Sequence, residues 1–247
     1  MEERIRDLSW FKSTKLEIQS KLLNLPESAN GFISDLLDRP IRGGGVLILS
    51  LEELLYSPFD NIFSITPIFK VQSLANLEIV YHYEYHSWKQ GPESGSKGLL
   101  LLQDNKRITH IVLLTGFKFA PGKDVYDIIG GFSNPDETGI KGMIQRFNTE
   151  IKEELGMPEI RVNEIIPLGR LMPDSGLTNN HPNLFAAIID GSDVNIKEYK
   201  ETANPDPFEM RVSIMVIPVE ILNDFIWEND DGYFLACIAR LGAKSII

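Results

Sequence analysis

Gly131-Phe132-Ser133-Asn134-Pro135-Asp136-Glu137 and, eleven residues further on, Thr149-Glu150-Ile151-Lys152-Glu153-Glu154-Leu155-Gly156-Met157 are the stretches that decide how this chain is read. The spacing predicts a helix from about Ile140 to Leu155. At about 100° per residue, Met143, Ile144, Phe147, Ile151 and Leu155 fall on one apolar stripe. Glu154 lies inside the edge of that stripe and Glu150 beside it, with Glu153 further round. Three carboxylates at i, i+3 and i+4 repel one another by a few tenths of a kcal/mol per pair. They also crowd the last turns, where the helix dipole disfavours negative charge. Glu154 bears a desolvation cost as well. Two readings follow. Either a divalent cation held by hard oxygen ligands compensates the acids, or all three side chains point to water and tolerate one another.

The quoted segment resembles the signature of the Nudix hydrolases, Gly-x5-Glu-x7-Arg-Glu-U-x-Glu-Glu-x-Gly-U, where U is a bulky aliphatic residue. Gly131 and Glu137 stand at the required separation, and Glu150, Ile151, Glu153, Glu154, Gly156 and Met157 match the second half. Eleven residues, not seven, separate Glu137 from Thr149, and Thr149 stands where the family has arginine. Four extra residues are close to one turn of about 3.6 residues, so they fit a longer helix. Gly139 and Gly142 fit a longer loop equally well. Arg146, four residues before Glu150, is placed to stand in for the missing arginine across one turn.

Working outward, Lys97-Gly98 leads into the apolar runs Leu99–Leu102 and Ile108–Leu114, separated by Asp104-Asn105-Lys106-Arg107, a hairpin pattern. With Gly116-Phe117-Lys118 this is similar to the strand pair before the signature in the ADP-ribose pyrophosphatases, Lys118 taking an arginine position. Val125–Ile129 reads as a short strand running into Gly130-Gly131. Leu168-Gly169-Arg170-Leu171-Met172-Pro173-Asp174-Ser175-Gly176 is similar to the strand after the signature. Pro173, sixteen residues past Met157, keeps the offset of that subgroup. Asp231-Gly232-Tyr233-Phe234-Leu235-Ala236 is similar to its C-terminal helix. The likeness covers roughly residues 77–247. It implies an α/β/α sandwich around a mixed sheet, preceded over residues 1–76 by an α/β extension for which no likeness is found.

The resemblance further implies hydrolysis of a nucleoside diphosphate linked to some group X, ADP-ribose or a related nucleotide sugar, with Mg²⁺ or Mn²⁺. The main-chain carbonyl of Gly130 and the carboxylates of Glu150 and Glu154 would hold the metal, and Glu153 would bind or orient within the same cluster. Lys118, Pro173 and Ser175 would meet substrate. The general base would come from a loop before a late strand, Glu209 or Glu201. A second class of reading is a catalytically silent domain that binds a nucleotide. A third is that residues 1–76 are an interaction or dimerisation module, since subgroup members commonly dimerise through N-terminal strands.

Elsewhere the patterns are plainer. Residues 1–40 read as helical, with amphipathic stretches at Lys15–Leu23 and Phe32–Leu37 ended by Pro26 and Pro40. Gly43-Gly44-Gly45 precedes a strand at Val46–Leu49. It lacks the Lys-Ser/Thr of a phosphate loop, so it reads as a turn. In Tyr81–His86, strict alternation puts His82, Glu84 and His86 on one face, either three zinc donors or a polar face backed by tyrosines. Gly91–Ser96 is a loop. Strands are expected near 161–171, 183–189 and 211–217, a loop over 190–208, and helices near 219–226 and 231–242.

The whole chain has 247 residues, 43% hydrophobic and 24% charged, which is an ordinary globular composition. No apolar run approaches the ~18 residues of a membrane span. A single cysteine, Cys237, rules out an internal disulfide and a thiolate zinc cluster. Together with an N-terminus that lacks a signal-peptide plan, it makes a reducing cytoplasm the expected setting. The net charge of −11 is unevenly spread: residues 1–125 carry 14 basic against 15 acidic side chains, and residues 126–247 carry 10 against 20. The acidic half would repel a nucleic-acid polymer.

Overall fold

The computed structural model describes residues 2–56, 64–88, 91–193 and 213–247. These form two compact units: one of residues 1–94, 132–138 and 174–180, the other of residues 95–131, 139–173 and 181–247.

The N-terminal unit begins with four helices, α1 (Glu2–Arg6), α2 (Ser9–Lys12), α3 (Leu16–Leu23) and α4 (Asn30–Asp38). An antiparallel sheet follows in the order β1 (Arg42–Gly43), β2 (Val46–Tyr56), β3 (Ile65–Ser73), β4 (Val80–Glu84). Helices and sheet share one core. Trp10, Phe11, Leu22, Phe32 and Leu36 are buried with Leu51, Leu54, Phe69 and Val71. The triple glycine makes the β1–β2 turn: Gly43 pairs with Val46, while Gly44 and Gly45 have φ of +56° and +81°. Positive φ at both central residues is what a two-residue hairpin asks for, and glycine adopts it without strain. The boundary at residue 76 drawn from the sequence runs through this unit, because Tyr81–Glu84 pair with Ile68–Val71 of β3.

The second unit is built on β5 (Ser96–Asp104), β6 (Arg107–Lys118), β7 (Lys123–Asp127), β8 (Ile129–Gly131), β9 (Val162–Arg170), β10 (Asn183–Asp190) and β11 (Ser213–Pro218). The sheet runs β11-β6-β5-β10-β9, with β7 alongside β6 and β8 alongside β5. Among the described residues of this sheet, only β5 and β10 pair in parallel, and every other ladder is antiparallel. Alternate residues of one strand feed two cores. Leu99 and Leu101 join Ile111, Leu113, Leu184 and Ala186 against α6 (Leu222–Glu228) and α7 (Gly232–Ala243). Leu100 and Leu102 join Val112, Phe185 and Ala187 against Met143, Phe147 and Ile151 of α5 (Gly139–Glu154). A sheet covered on both faces needs continuous apolar strands, and Leu99–Leu102 is such a run. This is the α/β/α sandwich around a mixed sheet.

Of the eleven residues between Glu137 and Thr149, all but Thr138 lie in α5, so the insertion is taken up as helix. Gly139, with φ of +63°, opens it. Among the described residues, no helix is long and apolar enough to cross a membrane.

Candidate functional site

The acids sit where α5 passes β8. Glu150 is buried at 6% exposure, whereas Glu154 is half-buried and Glu153 is 61% exposed at its side chain. The helical projection put Glu154 deeper than Glu150. The order is reversed because β8 covers Glu150: a Cβ on Gly131 would collide with its carboxylate. Glycine at 131 is thus a condition for close approach of strand and acid.

Arg146 reaches across one helical turn. Its Nη2 donates to Glu150 Oε1, and the same nitrogen lies 3.7 Å from Glu153 Oε2. Arg146 therefore stands beside the first helical glutamate, and Thr149 leaves the adjacent position without a cation.

Glu154 is held differently. The Gly130 N–H donates to its carboxylate, yet Oε2 is covered from solvent and has no hydrogen-bond partner. Burial, reinforced by the neighbouring Glu150 charge, pushes its carboxyl up to about 8; Lys97 works against this shift and Asp127 adds to it. An acid with a covered, unpaired oxygen is a feature that a bound cation would relieve.

Behind the acids lies a cluster of which sequence reasoning singled out Lys118 alone, as a substrate contact. Asp127 accepts from Lys97 Nζ at 3.2 Å through one oxygen and meets Lys118 Nζ at 3.2 Å through the other. Burial works against the Asp127 charge, but the two ammonium groups more than offset it and hold the carboxyl below its ordinary range. Lys97 is likewise penalised by burial and is held above its ordinary value by Asp127, with Asp231 and Tyr233 adding. Its ammonium lies 5.0 Å from the centre of the Tyr233 ring. Asp231 caps α7 by accepting from the Phe234 N–H at 2.6 Å. The available signal was a lone Lys in Ser96-Lys97-Gly98 and a lone Asp in Val125–Ile129, each at the mouth of an apolar strand.

The remaining candidates are distributed as follows. Lys118 belongs to the cluster just described. Pro173 is exposed and ends a segment of the second unit. Ser175 is exposed in the N-terminal unit, within a turn where Asp174 Oδ1 accepts from the Gly176 and Leu177 N–H groups. Glu137 also belongs to that unit and accepts from the Asn134 N–H at 2.8 Å. Glu201 and Glu209 lie outside the described residues. In the N-terminal sheet, His82 and Glu84 are exposed and His86 Nδ1 is hydrogen-bonded to Thr66 Oγ1 at 2.7 Å.

Among the described residues, no three His, Cys, Asp or Glu side chains are grouped so as to hold a metal ion. The oxygen donors on offer are fewer: the Glu150 and Glu154 carboxylates and the main chain at Gly130. Their chemistry suits a hard dication, and the Glu154 oxygen without a hydrogen-bond partner is the donor that such an ion would engage.

No family model matches the sequence, and no curated protein matches it. In three dimensions the chain is similar to a solved structure described as an ADP compounds hydrolase. The TM-score is 0.58 at 15% sequence identity, over 83% of this chain and 99% of that one. A share of 83% exceeds the length of residues 77–247, so the shared fold reaches into the first 76 residues, where the sequence offered no likeness.

Proposed function

We propose that the chain hydrolyses the diphosphate bond of a nucleoside diphosphate linked to X, most simply ADP-ribose or a related nucleotide sugar, with Mg²⁺ or Mn²⁺. The observation that carries this reading is Glu154: a half-buried carboxylate beside a second buried carboxylate, with one oxygen unpaired. The fold shared with a protein described as an ADP compounds hydrolase supports the same class of reaction.

Glu150, Glu154 and the main-chain carbonyl of Gly130 would hold the ion, with Glu153 at the rim. Bound there, a dication neutralises the diphosphate and supplies a polarised water. The protein's part is positioning and charge. Lys97 interacts with Glu154 and Lys118 adds a second ammonium group on the other oxygen of Asp127, which fixes both of them; the pair gives a field suited to a diphosphate. Water attacks one phosphorus and the bond to the bridging oxygen breaks. The products are a nucleoside monophosphate and phosphorylated X, with a proton released to a base. Glu209 or Glu201 is our candidate for that base.

One observation favours the silent, nucleotide-binding alternative: Arg146 already supplies Glu150 with a cation. Release of AMP from ADP-ribose, with Mg²⁺ and with chelator, separates the two. Metal-dependent release is expected, and Glu154→Gln should lower it about 10²–10³-fold, the usual effect of removing one electrostatic contributor to a transition state. A folded Glu154→Gln protein that keeps full turnover would refute the assignment.

A further inference from the structure

Ser96 opens β5 with its side chain wholly buried, yet its hydroxyl has no hydrogen-bond partner. A buried polar group left unpaired is costly and uncommon in a native protein. The strand ladders fix where it points. Ser96 stands directly opposite Gly131 of β8, and residues so paired carry their side chains on the same face of the sheet. On that face a Cβ at Gly131 would run into the Glu150 carboxylate, and one at Gly98, two residues along β5, would meet the Phe147 ring. Both targets belong to α5, so Ser96 faces α5 beneath Glu150. Opposed Cβ positions lie about 4.5–5.5 Å apart, which puts the hydroxyl, one bond further out, within side-chain reach of that carboxylate.

Glu150 is turned to another partner. Arg146 Nη2 donates to its Oε1. The same nitrogen is 3.7 Å from Glu153 Oε2, on a side chain that is 61% exposed, so the guanidinium has a second acceptor a short swing away. Asn183, opposite Ser96 on β10, does not serve the hydroxyl either; its Oδ1 accepts from Arg170 Nε at 3.4 Å.

We propose that Ser96 is a positioning residue for Glu150, taking effect when that acid binds a divalent cation. The inference rests on the metal site proposed above. Two cations on one carboxylate oxygen repel each other. In the loaded site Arg146 therefore withdraws to Glu153, and Glu150, freed on that side, accepts from the Ser96 O–H. An ionised carboxylate has about four acceptor positions, so one oxygen serves the cation while the other is held by the serine. A hydrogen bond to a charged acceptor is of the stronger kind, and it keeps the acid pointed. In the metal-free protein the serine is a donor in reserve, and the guanidinium stands in for the cation's charge.

The test uses the full-length chain with Mn²⁺ alone. Binding is read by electron paramagnetic resonance, and the stability of metal-free protein by thermal unfolding. The wild type is expected to bind, and Glu154→Gln to lose most of that affinity. Ser96→Ala should weaken binding about tenfold, the effect of losing one hydrogen bond to a charged group. Its metal-free form should unfold no lower than the wild type, because an unpaired hydroxyl is gone; a merely structural role would lower both readouts together. Ser96→Cys restores the volume with a weak donor and should bind as poorly as Ser96→Ala, since Mn²⁺, a hard ion, gains little from a thiol. Arg146→Gln should bind severalfold more tightly, because the competing charge is removed. The proposal is overturned if Ser96→Ala or Ser96→Cys binds Mn²⁺ like the wild type, or if folded Arg146→Gln binds more weakly. If the wild type does not bind, or folded Glu154→Gln binds equally well, the metal site itself falls and this inference with it. Loss at Glu154 with no change at Ser96 strikes the inference alone.

Discussion

Arg146 and Glu150 are one residue pair with two possible duties, to neutralise a buried acid and to keep it oriented. Their side chains are 20% and 7% exposed, so solvent screens little of the interaction. Removing one partner of a covered pair strands the other charge, which costs more than the pair contributes net. Arg146→Ala should therefore destabilise the protein by roughly 2–4 kcal/mol, measured by urea unfolding, and the double variant with Glu150→Ala should recover much of the loss. If the two single losses simply add, the guanidinium is not what supports Glu150. The Asp127 trio makes a pH-dependent counterpart. Asp127 is depressed in the folded state, so its contribution is present above the unfolded carboxylate value and is lost as pH falls through the folded one. Lys97 is raised, so its contribution is full below the ordinary lysine value and is lost as pH rises through the folded one. Between these limits the trio gives a plateau. Asp127→Asn should lower that plateau by roughly 2–3 kcal/mol and flatten the acid fall below about pH 4. Thermal unfolding followed from pH 2.5 to 7 checks it, and a variant whose acid limb keeps its wild-type slope would show that other carboxylates set that limb.

At the scale of elements, α5 and β8 are tuned to each other through a glycine. Any side chain at 131 would meet the Glu150 carboxylate, which Arg146 and the surrounding core leave little room to move. Overpacking of this kind costs about 1–3 kcal/mol. Gly131→Ala is expected to lose that much stability and to displace Glu150, so turnover should drop by more than the unfolded fraction explains. Equal losses in turnover and in folded protein would assign the glycine to packing alone. The same region shows what a sequence reveals and what it conceals. The stripe Met143, Phe147, Ile151 announced α5, because helical period and apolar spacing coincide there, and the strands at Leu99–Leu102 and Ile108–Leu114 were plain from unbroken apolar runs. The relative depth of Glu150 and Glu154 was not legible, since a helix projection knows nothing of the strand that later covers one side. Strand β3 escaped notice for a local reason: Pro67 interrupts Ile65–Ser73. That proline is tolerated because β4 pairs with β3 only from Ile68 onward. The Lys97–Asp127–Lys118 cluster joins residues up to 30 apart along the chain, and pairing of that kind depends on the register of β5, β6 and β7 rather than on any motif.

For the molecule as a whole, the distribution of buried apolar residues predicts where stability resides. Leu99–Leu102 of β5, Ile111–Leu113 of β6 and Leu184–Ala187 of β10 are all at 0% exposure. These strands occupy the middle of the second unit's sheet and carry helices on both faces. Their amides can exchange only when the two cores open together, so their protection should approach the global unfolding free energy. At the other extreme, all five residues of β4 are exposed, and β4 is the last strand of its sheet. Its hydrogen bonds lie open to water on one side and can break without disturbing the Trp10–Phe69 core, whose rings meet edge to face at 5.6 Å. Hydrogen–deuterium exchange resolved to peptides should show 99–102 and 184–187 as the slowest segments and 80–84 among the fastest. Because β5 runs from 99–102 directly back to Lys97, the residue beside Glu154, the acids of α5 would then rest against the most rigid strand available, as the hydrolysis proposed above asks of groups that position a substrate. Fast exchange over 99–102 would remove that support, since acids packed against a strand that opens readily could not hold their geometry.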